Sequence, residues 1–450
     1  MTAPPSTTLV LRFADLGVAT YGSLRIVGQP ERTVTWVVEE PILLAAIEEL
    51  QGALPDPEGT ETLADALNRA LTTGPFATPE RELTLAYILG VLLISAPAWQ
   101  LLGECVADPR PLLYISPSAR LARIPWGLLA VPLAGPSREE LIAARAAAIT
   151  TRGTTAARIP WQLADISTLT EGHRLMELAD VLMAVPPNIA HAPRDPADWA
   201  ERRSAAPLLV LDPRVPGQRP DSPLGSVLGR PSAETRLSGH FAAVLARHQV
   251  LPEVDSAVDL FRRADADRTW LAALLKRAPS RLLYVGHASA ADRAHGYADR
   301  AAIHLACTSA LPGGAEPVGD HRPLLAADLM SAQLPMPPRV ALLACGSGGD
   351  YQFDEATGLV AAMVLCGSQL VTATLWSLPT TAGYRRFTSS IGDPMADVVI
   401  AVDAAHQADD AALAVNRWQR AQMRRWRAGD TGASPLYWAA LATFSVDGAR

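Results

Sequence analysis

Five short, unbroken apolar runs recur along the chain, and each ends in a turn. They are LLYISP (112–117), PLLVLDP (207–213), RLLYVGH (281–287), RVALLACG (339–346) and QLVTATLW (369–376). A strand that is apolar on both sides of its pleat needs cover on both faces, which is the situation of a parallel sheet between layers of helices. Helical patterns lie between the runs: AETRLSGHFAAVLARH (233–248), AVDLFRRADADRTWLAALLKR (257–277) and EATGLVAAMVLCG (355–367). Strand and helix in alternation predict an α/β/α sandwich on a mostly parallel sheet. Repeats of the kind that build solenoids are absent.

The first 40 residues behave differently. TTLVLRF, GSLRIVG and RTVTWVVEE alternate apolar with polar positions and are separated by turn residues, so they predict a small antiparallel meander. From Pro41 the period changes, and ILLAAIEELQGAL, ETLADALNRAL and RELTLAYILGVLL read as helices. The chain is therefore divided into a small mixed β/α region at 1–105 and an α/β domain at 106–450. Leu83 to Gly103 carries no charge and is long enough to span a bilayer. It is interrupted by Thr84, Ser95, Pro97 and Gln100 and lacks basic flanks on both sides, so it is read as a buried core helix and no membrane is expected as a partner. Residues 186–232, around the strand at 207–213, and residues 288–322, around the short apolar IHLAC, read as long loops, which in a compact domain are often functional or disordered.

Composition narrows the function classes. The chain has 450 residues, 49% hydrophobic and 19% charged, with net charge −7. That composition is globular, and the acidic balance argues against nucleic acid as a partner. The basic run NRWQRAQMRRWRAG (416–429) is read as a solvated helix face. Lys276 is the sole lysine, and the preference for arginine and alanine points to GC-rich bacterial coding. Four cysteines (Cys105, Cys307, Cys345, Cys366) are too few for a disulfide scaffold, and neither CxxC nor HExxH occurs, so no metal is expected. MTAPPSTTLVLRFAD has no basic segment followed by an apolar core, so no signal peptide is read and a cytoplasmic, thiol-reducing location is expected.

In open α/β sheets, ligands sit at the carboxyl ends of parallel strands. RLLYV runs into Gly286-His287-Ala288-Ser289, and RVALLA runs into Cys345-Gly346-Ser347-Gly348-Gly349. If these strands are parallel neighbours, an imidazole and a thiol face one crevice, which is the minimum equipment for a cysteine nucleophile with a general base. The small residues after Cys345, with the amide after His287, offer backbone N–H groups to an oxyanion. The bland readings are a cysteine packed as a small apolar residue and a histidine held in the core. Cys366, which closes a helical pattern before Gly367, is read in that bland way. His295 has no strand before it. A GxSxG elbow and a GxxxxGK[ST] phosphate loop are absent.

In their order, these residues resemble the CHAT family of caspase-like peptidase domains, distantly similar to separase, gingipain and caspases. The pieces are LLYISPSARLARIPWGLL (112–129), PLLVLDP (207–213), RLLYVGH (281–287), LLAADLMSAQLPMPPRVALLACGSGG (324–349), GLVAAMVLCGSQLVTATLW (358–376) and SPLYWAALATFS (434–445). The resemblance implies a caspase-like domain over 106–450, with a pseudo-caspase half at 106–235 and a half bearing the dyad at 236–450. It implies His287 as general base, Cys345 as nucleophile, and the backbone amides of Ala288 and Cys345 as the oxyanion hole. Three departures stand out: Ala288 replaces a glycine after the histidine, Gly346 replaces an acidic residue after the cysteine, and aspartates are missing after Trp376.

The expected function is that of a bacterial caspase-like cysteine endopeptidase that needs no cofactor and acts on protein substrates. The resemblance further implies an activating or recruiting protein partner and a defence or cell-death setting, including antiviral defence. Trp376, Ser377, Leu378 and Asp354 are candidates for the substrate pocket. The alternative from another class is a catalytically silent interaction module on the same fold.

Overall fold

The structure, a computed structural model, describes residues 7–446 apart from 18, 58, 136–138, 140–141, 144–145, 147–165, 220–223, 290–297, 345–357 and 389. The chain packs as two units. One comprises Met1–Met183 with Gln419–Ala439, the other Ala184–Trp418 with Ala440–Arg450.

The first unit opens with the expected meander, β1 (Thr8–Asp15), β2 (Ala19–Ile26) and β3 (Gln29–Glu39), all antiparallel. Alternation explains it: Leu9, Leu11 and Phe13 on β1 are buried while their neighbours face outward. β4 (Leu112–Ser116) pairs parallel with β1, and β5 (Asp180–Ala184) pairs parallel with β4. The Phe13 ring lies edge-on to Trp36 and stacked on Trp126, with centroids 5.9 and 5.0 Å away. Gly22 sits under Trp36, where an added Cβ would come within 2.4 Å of the indole, so only glycine fits.

Residues 83–103 are not one core helix. They fall in two helices, Pro79–Leu93 and Ala96–Glu104, bent by 102° at the break. Ile94 is extended, the Ser95 side chain caps the second helix at the Ala98 N–H, and proline occupies its first turn. No single helix among the described residues is long and apolar enough to cross a membrane. Most of the first helix is buried, including Leu85, Tyr87, Leu89 and Leu93.

The 416–429 segment also needs correction. The helix Ala411–Arg427 is not simply a solvated face, because Arg420 is buried. Its guanidinium donates to Asp180 Oδ1 at 2.6 Å and to the Met176 carbonyl at 3.1 Å. The arginines at the end of the helix, Arg424, Arg425 and Arg427, are exposed. A second buried cation in this unit, Arg174, meets Glu82 through a forked contact of 2.8 and 2.9 Å.

The second unit is built on β6 (Leu208–Leu211), β7 (Arg281–Val285), β11 (Arg339–Leu343), β12 (Leu370–Thr374) and β13 (Leu441–Ser445). Their order is β13-β12-β11-β7-β6, parallel except for β13. Every residue of these five strands is buried, as the unbroken apolar runs require. Helices Arg236–Leu245, Arg268–Leu275, Leu359–Leu365 and Pro394–Ala405 belong to the same unit. A separate small antiparallel sheet joins β8 (His287–Ser289), β9 (Ala302–His304) and β10 (Leu324–Leu325).

The 257–277 segment, expected as one helix, is a short 3-10 turn at Ala257–Leu260 followed by the Arg268–Leu275 helix. Arg262 adopts φ +54°, which ends the first element, and the Asp267 carboxylate caps the second by accepting from the Thr269 and Trp270 N–H groups at 2.8 Å. Buried cations anchor the amino ends of the two central strands. Arg281 donates to Asp403 Oδ1 at 2.6 Å. Arg339 donates to the carbonyls of His406, Ala408 and Asp409 and stacks 3.5 Å over Trp199.

Removing one partner of a buried ion pair strands the other charge, at about 3–5 kcal/mol. Glu82 and Arg174 side chains are 0% and 1% exposed, whereas Glu104 and Arg32 are 48% and 37% exposed. Glu82→Ala is expected to lower urea-unfolding stability by about 3–5 kcal/mol, and Glu104→Ala by less than about 1 kcal/mol. Equal effects in the two variants would contradict this ranking.

Candidate active site

β7 and β11 are parallel neighbours, and their last register pair is Val285 with Leu343. The Gly286 N–H donates to the Leu343 carbonyl at 3.2 Å, so the two chains leave the sheet side by side. His287 lies two residues beyond Val285, and Cys345 two residues beyond Leu343. The described residues reach Ala344, whose carbonyl accepts a hydrogen bond from the Thr374 hydroxyl at the end of β12. Cys345, Asp354 and the glycines after Cys345 lie outside the described residues, as does His295.

His287 is 8% exposed. Its Nε2 is 3.1 Å from the Gly225 carbonyl, an acceptor only, so Nε2 carries the proton and the neutral ring keeps its lone pair on Nδ1. Burial pulls the His287 pKa below the ordinary histidine value. The Gly225 hydrogen bond and the Asp212 carboxylate oppose that pull, and the Arg262 guanidinium adds to it. A neutral imidazole near pH 7 is the form that accepts a proton.

Ala288 follows in β8, buried and in register with Ile303. Trp376 is fully buried and Leu378 nearly so, while Ser377 between them is partly exposed. Of these side chains, Ser377 is the most open to solvent.

Next to His287 in the small sheet is His304, directly opposite in register. His304 Nδ1 is 3.0 Å from His321 Nε2, and His321 Nδ1 is 2.9 Å from the Cys307 carbonyl. The carbonyl can only accept, so both imidazoles are oriented: His321 donates to Cys307, His304 donates to His321, and His304 Nε2 faces Ser289 Oγ at 3.2 Å. Burial and the neighbouring imidazoles push the His304 pKa down to about 3. His304, His321, Gly225, Asp212 and Arg262 escape sequence reasoning. Only Asp212 had a signal, at the end of the PLLVLDP run. Among the described residues, no cluster of three or more His, Cys, Asp or Glu could hold a metal ion.

The other thiols are inert by environment. Cys105 and Cys307 are buried, which raises their pKa values. Cys366 caps the Leu359–Leu365 helix, donates to the Leu329 carbonyl at 3.5 Å, and is pushed up to about 11 by burial. Gly367 follows at φ +120°, where an added Cβ would lie 3.0 Å from the Asp195 carbonyl. This pair serves packing, as expected from its sequence.

The model of the CHAT domain matches residues 89–446. The chain belongs to the CHAT family. No curated protein matches it. Two crystal structures of the Saccharomyces cerevisiae separase–securin complex are similar at 10% identity and a TM-score of 0.41, covering 98% of this chain. The CHAT chain spans 30% of the length of that separase chain.

Two outcomes are expected. Thiolate is the reactive form, so iodoacetamide at neutral pH is expected to spare Cys105, Cys307 and Cys366 in the native CHAT protein. Prompt labelling of Cys366, read by peptide mapping, would contradict its environment. The second outcome concerns acid. His287, His304, His321 and His406 all have lowered pKa values, His304 and His406 to about 3, with burial the largest cause. The unfolded chain therefore binds protons first as pH falls below about 6.5, and stability is lost progressively from there towards about 3. His304 and His406 each contribute a slope of roughly 1.4 kcal/mol per pH unit in that window. Replacing His406 by Gln, which keeps a hydrogen-bonding group beside Thr372, is expected to flatten the acid limb of thermal stability, and an unchanged limb would contradict it.

Proposed function

We propose that this CHAT protein is a cysteine endopeptidase with Cys345 as nucleophile and His287 as general base. One observation supports it most: the parallel, in-register exit of β7 and β11, each followed two residues later by one of these side chains. In this reading the Cys345 thiol passes its proton to His287 Nδ1 as sulfur attacks the substrate carbonyl. His287 then returns that proton to the leaving amine as the peptide C–N bond breaks. A water deprotonated by His287 hydrolyses the thioester and frees Cys345. The amides of Ala288 and Cys345 serve the oxyanion.

Ser377, Leu378, Pro379, Thr380 and Thr381 contain no carboxylate. A basic side chain buried against them would be unpaired, so an uncharged residue is favoured before the cut. A carboxylate from Asp350, Asp354 or Glu355, which follow Cys345 in sequence, would reverse this preference. Activation or recruitment by a protein partner and a role in defence or cell death complete the reading and rest on the family resemblance; a cytoplasmic location in a bacterium rests on composition and the amino-terminal sequence.

With a peptide substrate library and the activating partner present, Cys345→Ala is expected to abolish cleavage. His287→Ala is expected to reduce it by roughly 10²–10⁴-fold, and Cys366→Ala to leave it intact. Cleavage by Cys345→Ala at the wild-type rate would overturn the assignment. If neither wild type nor variants cleave or react with a thiol-directed peptide probe, the silent interaction module stands instead.

A further inference from the structure

The Gly225 carbonyl that orients His287 is itself held by a network of buried charge. Asp212 ends the β6 run, is fully buried and adopts φ +51°, a left-handed conformation costly for a residue with a Cβ. Its N–H donates to the Val285 carbonyl at 2.6 Å, which ties it to the strand that leads into His287. Its carboxylate accepts from Ser226 Oγ at 2.7 Å, the Val227 N–H at 3.1 Å, the Leu228 N–H at 3.3 Å and Arg262 Nη1 at 3.4 Å. Three of these four donors immediately follow Gly225. Arg262, at φ +54°, donates from the same nitrogen to the Gly225 carbonyl at 3.0 Å, and its own N–H donates to the Leu211 carbonyl at 3.1 Å. Two strained residues from two segments thus converge on one loop, and that loop presents one oxygen to one imidazole nitrogen.

Strain of this kind persists only where the surroundings over-determine it, and it concentrates at functional sites. We infer that Asp212 and Arg262 are positioning residues that clamp the Gly225 carbonyl against His287 Nε2 and so hold the ring in the tautomer whose lone pair is on Nδ1, the atom that takes the thiol proton in the peptidase reading. The inference rests on the peptidase reading for its purpose, but the clamp is testable without turnover. Among the described residues, the charged and titratable groups around His287 are Asp212, Arg262 and His304, together with the Tyr284 hydroxyl, which lies 2.7 Å from the His287 carbonyl and 2.9 Å from the His304 carbonyl. Asp212 favours the protonated ring, and so does the Gly225 hydrogen bond it supports, so both effects of removing the carboxylate have one sign.

The test is nitrogen NMR of the full chain with ¹⁵N-labelled histidine, with His287 assigned by His287→Gln. In wild type the neutral His287 ring is expected to be almost wholly the Nε2–H tautomer. In Asp212→Asn its pKa is expected to fall below the wild-type value, with the Nδ1–H tautomer appearing. Arg262→Gln is expected to raise the Nδ1–H fraction, because the carbonyl loses its second anchor. Ser226→Ala, a milder change that keeps every charge, is expected to do the same to a smaller extent. Unchanged His287 titration and tautomer in folded Asp212→Asn, or in Ser226→Ala should Asp212→Asn not fold, would overturn the clamp. A thiol-directed peptide probe on wild-type protein is read alongside. Tautomer shifts as expected with an unreactive Cys345 would sink the peptidase reading and leave the clamp standing; a reactive Cys345 with no tautomer shift would do the reverse.

Discussion

Everything proposed for this molecule depends on the parallel pairing of β7 with β11. Two chain segments far apart in sequence, at 281–285 and 339–343, lie in register along their whole length. A shift by one residue would send alternate side chains to the opposite face. Buried arginines at the amino ends, Arg281 on Asp403 and Arg339 on a ring of carbonyls and Trp199, act against such a slip. Each would have to drag a buried guanidinium away from its partners. Rigidity at one end of the sheet therefore sets the geometry at the other, where His287 is delivered.

His287 itself makes a neutral polar contact, to a carbonyl that the Asp212–Arg262 pair holds in place. The ring is buried, donates to a backbone oxygen and stays uncharged near neutral pH. Its neighbour His304 is held neutral more strongly and is oriented through His321 by the Cys307 carbonyl. Backbone carbonyls thus decide the tautomers of all three imidazoles. A carbonyl does not change protonation state with pH, so the orientation persists over the range in which a base is needed.

Much of the architecture was legible because its signals are local. The meander alternates, and the runs at 112, 208, 282, 340 and 370 are uncharged and mostly apolar on both sides of the pleat, which a strand covered on both faces requires. What escaped has physical reasons. β5 begins with Asp180, a charge that reads as loop until Arg420, some 240 residues away in sequence, neutralises it. The Leu83–Gly103 stretch reads as one helix by composition, yet Ser95 and Pro97 start a second one. The pairing of His287 and Cys345 with strand ends was visible in RLLYVGH and RVALLACG. The Gly225 carbonyl was not, since a backbone acceptor leaves no mark on the sequence and its loop is rich in proline and glycine. Asp212 and Arg262 owe their places to tertiary contacts alone.

The central claim is that the His287 ring and the Cys345 sulfur meet at one substrate. A crystal structure of the CHAT protein after reaction with a peptidyl aldehyde tests it most directly. The expected result is a thiohemiacetal on Cys345 Sγ, with His287 Nδ1 within roughly 3–4 Å of the reacting atoms, Nε2 still on the Gly225 carbonyl, and the oxygen facing the Ala288 amide. An adduct on any other cysteine, or a His287 ring turned away from the thiohemiacetal, would contradict it.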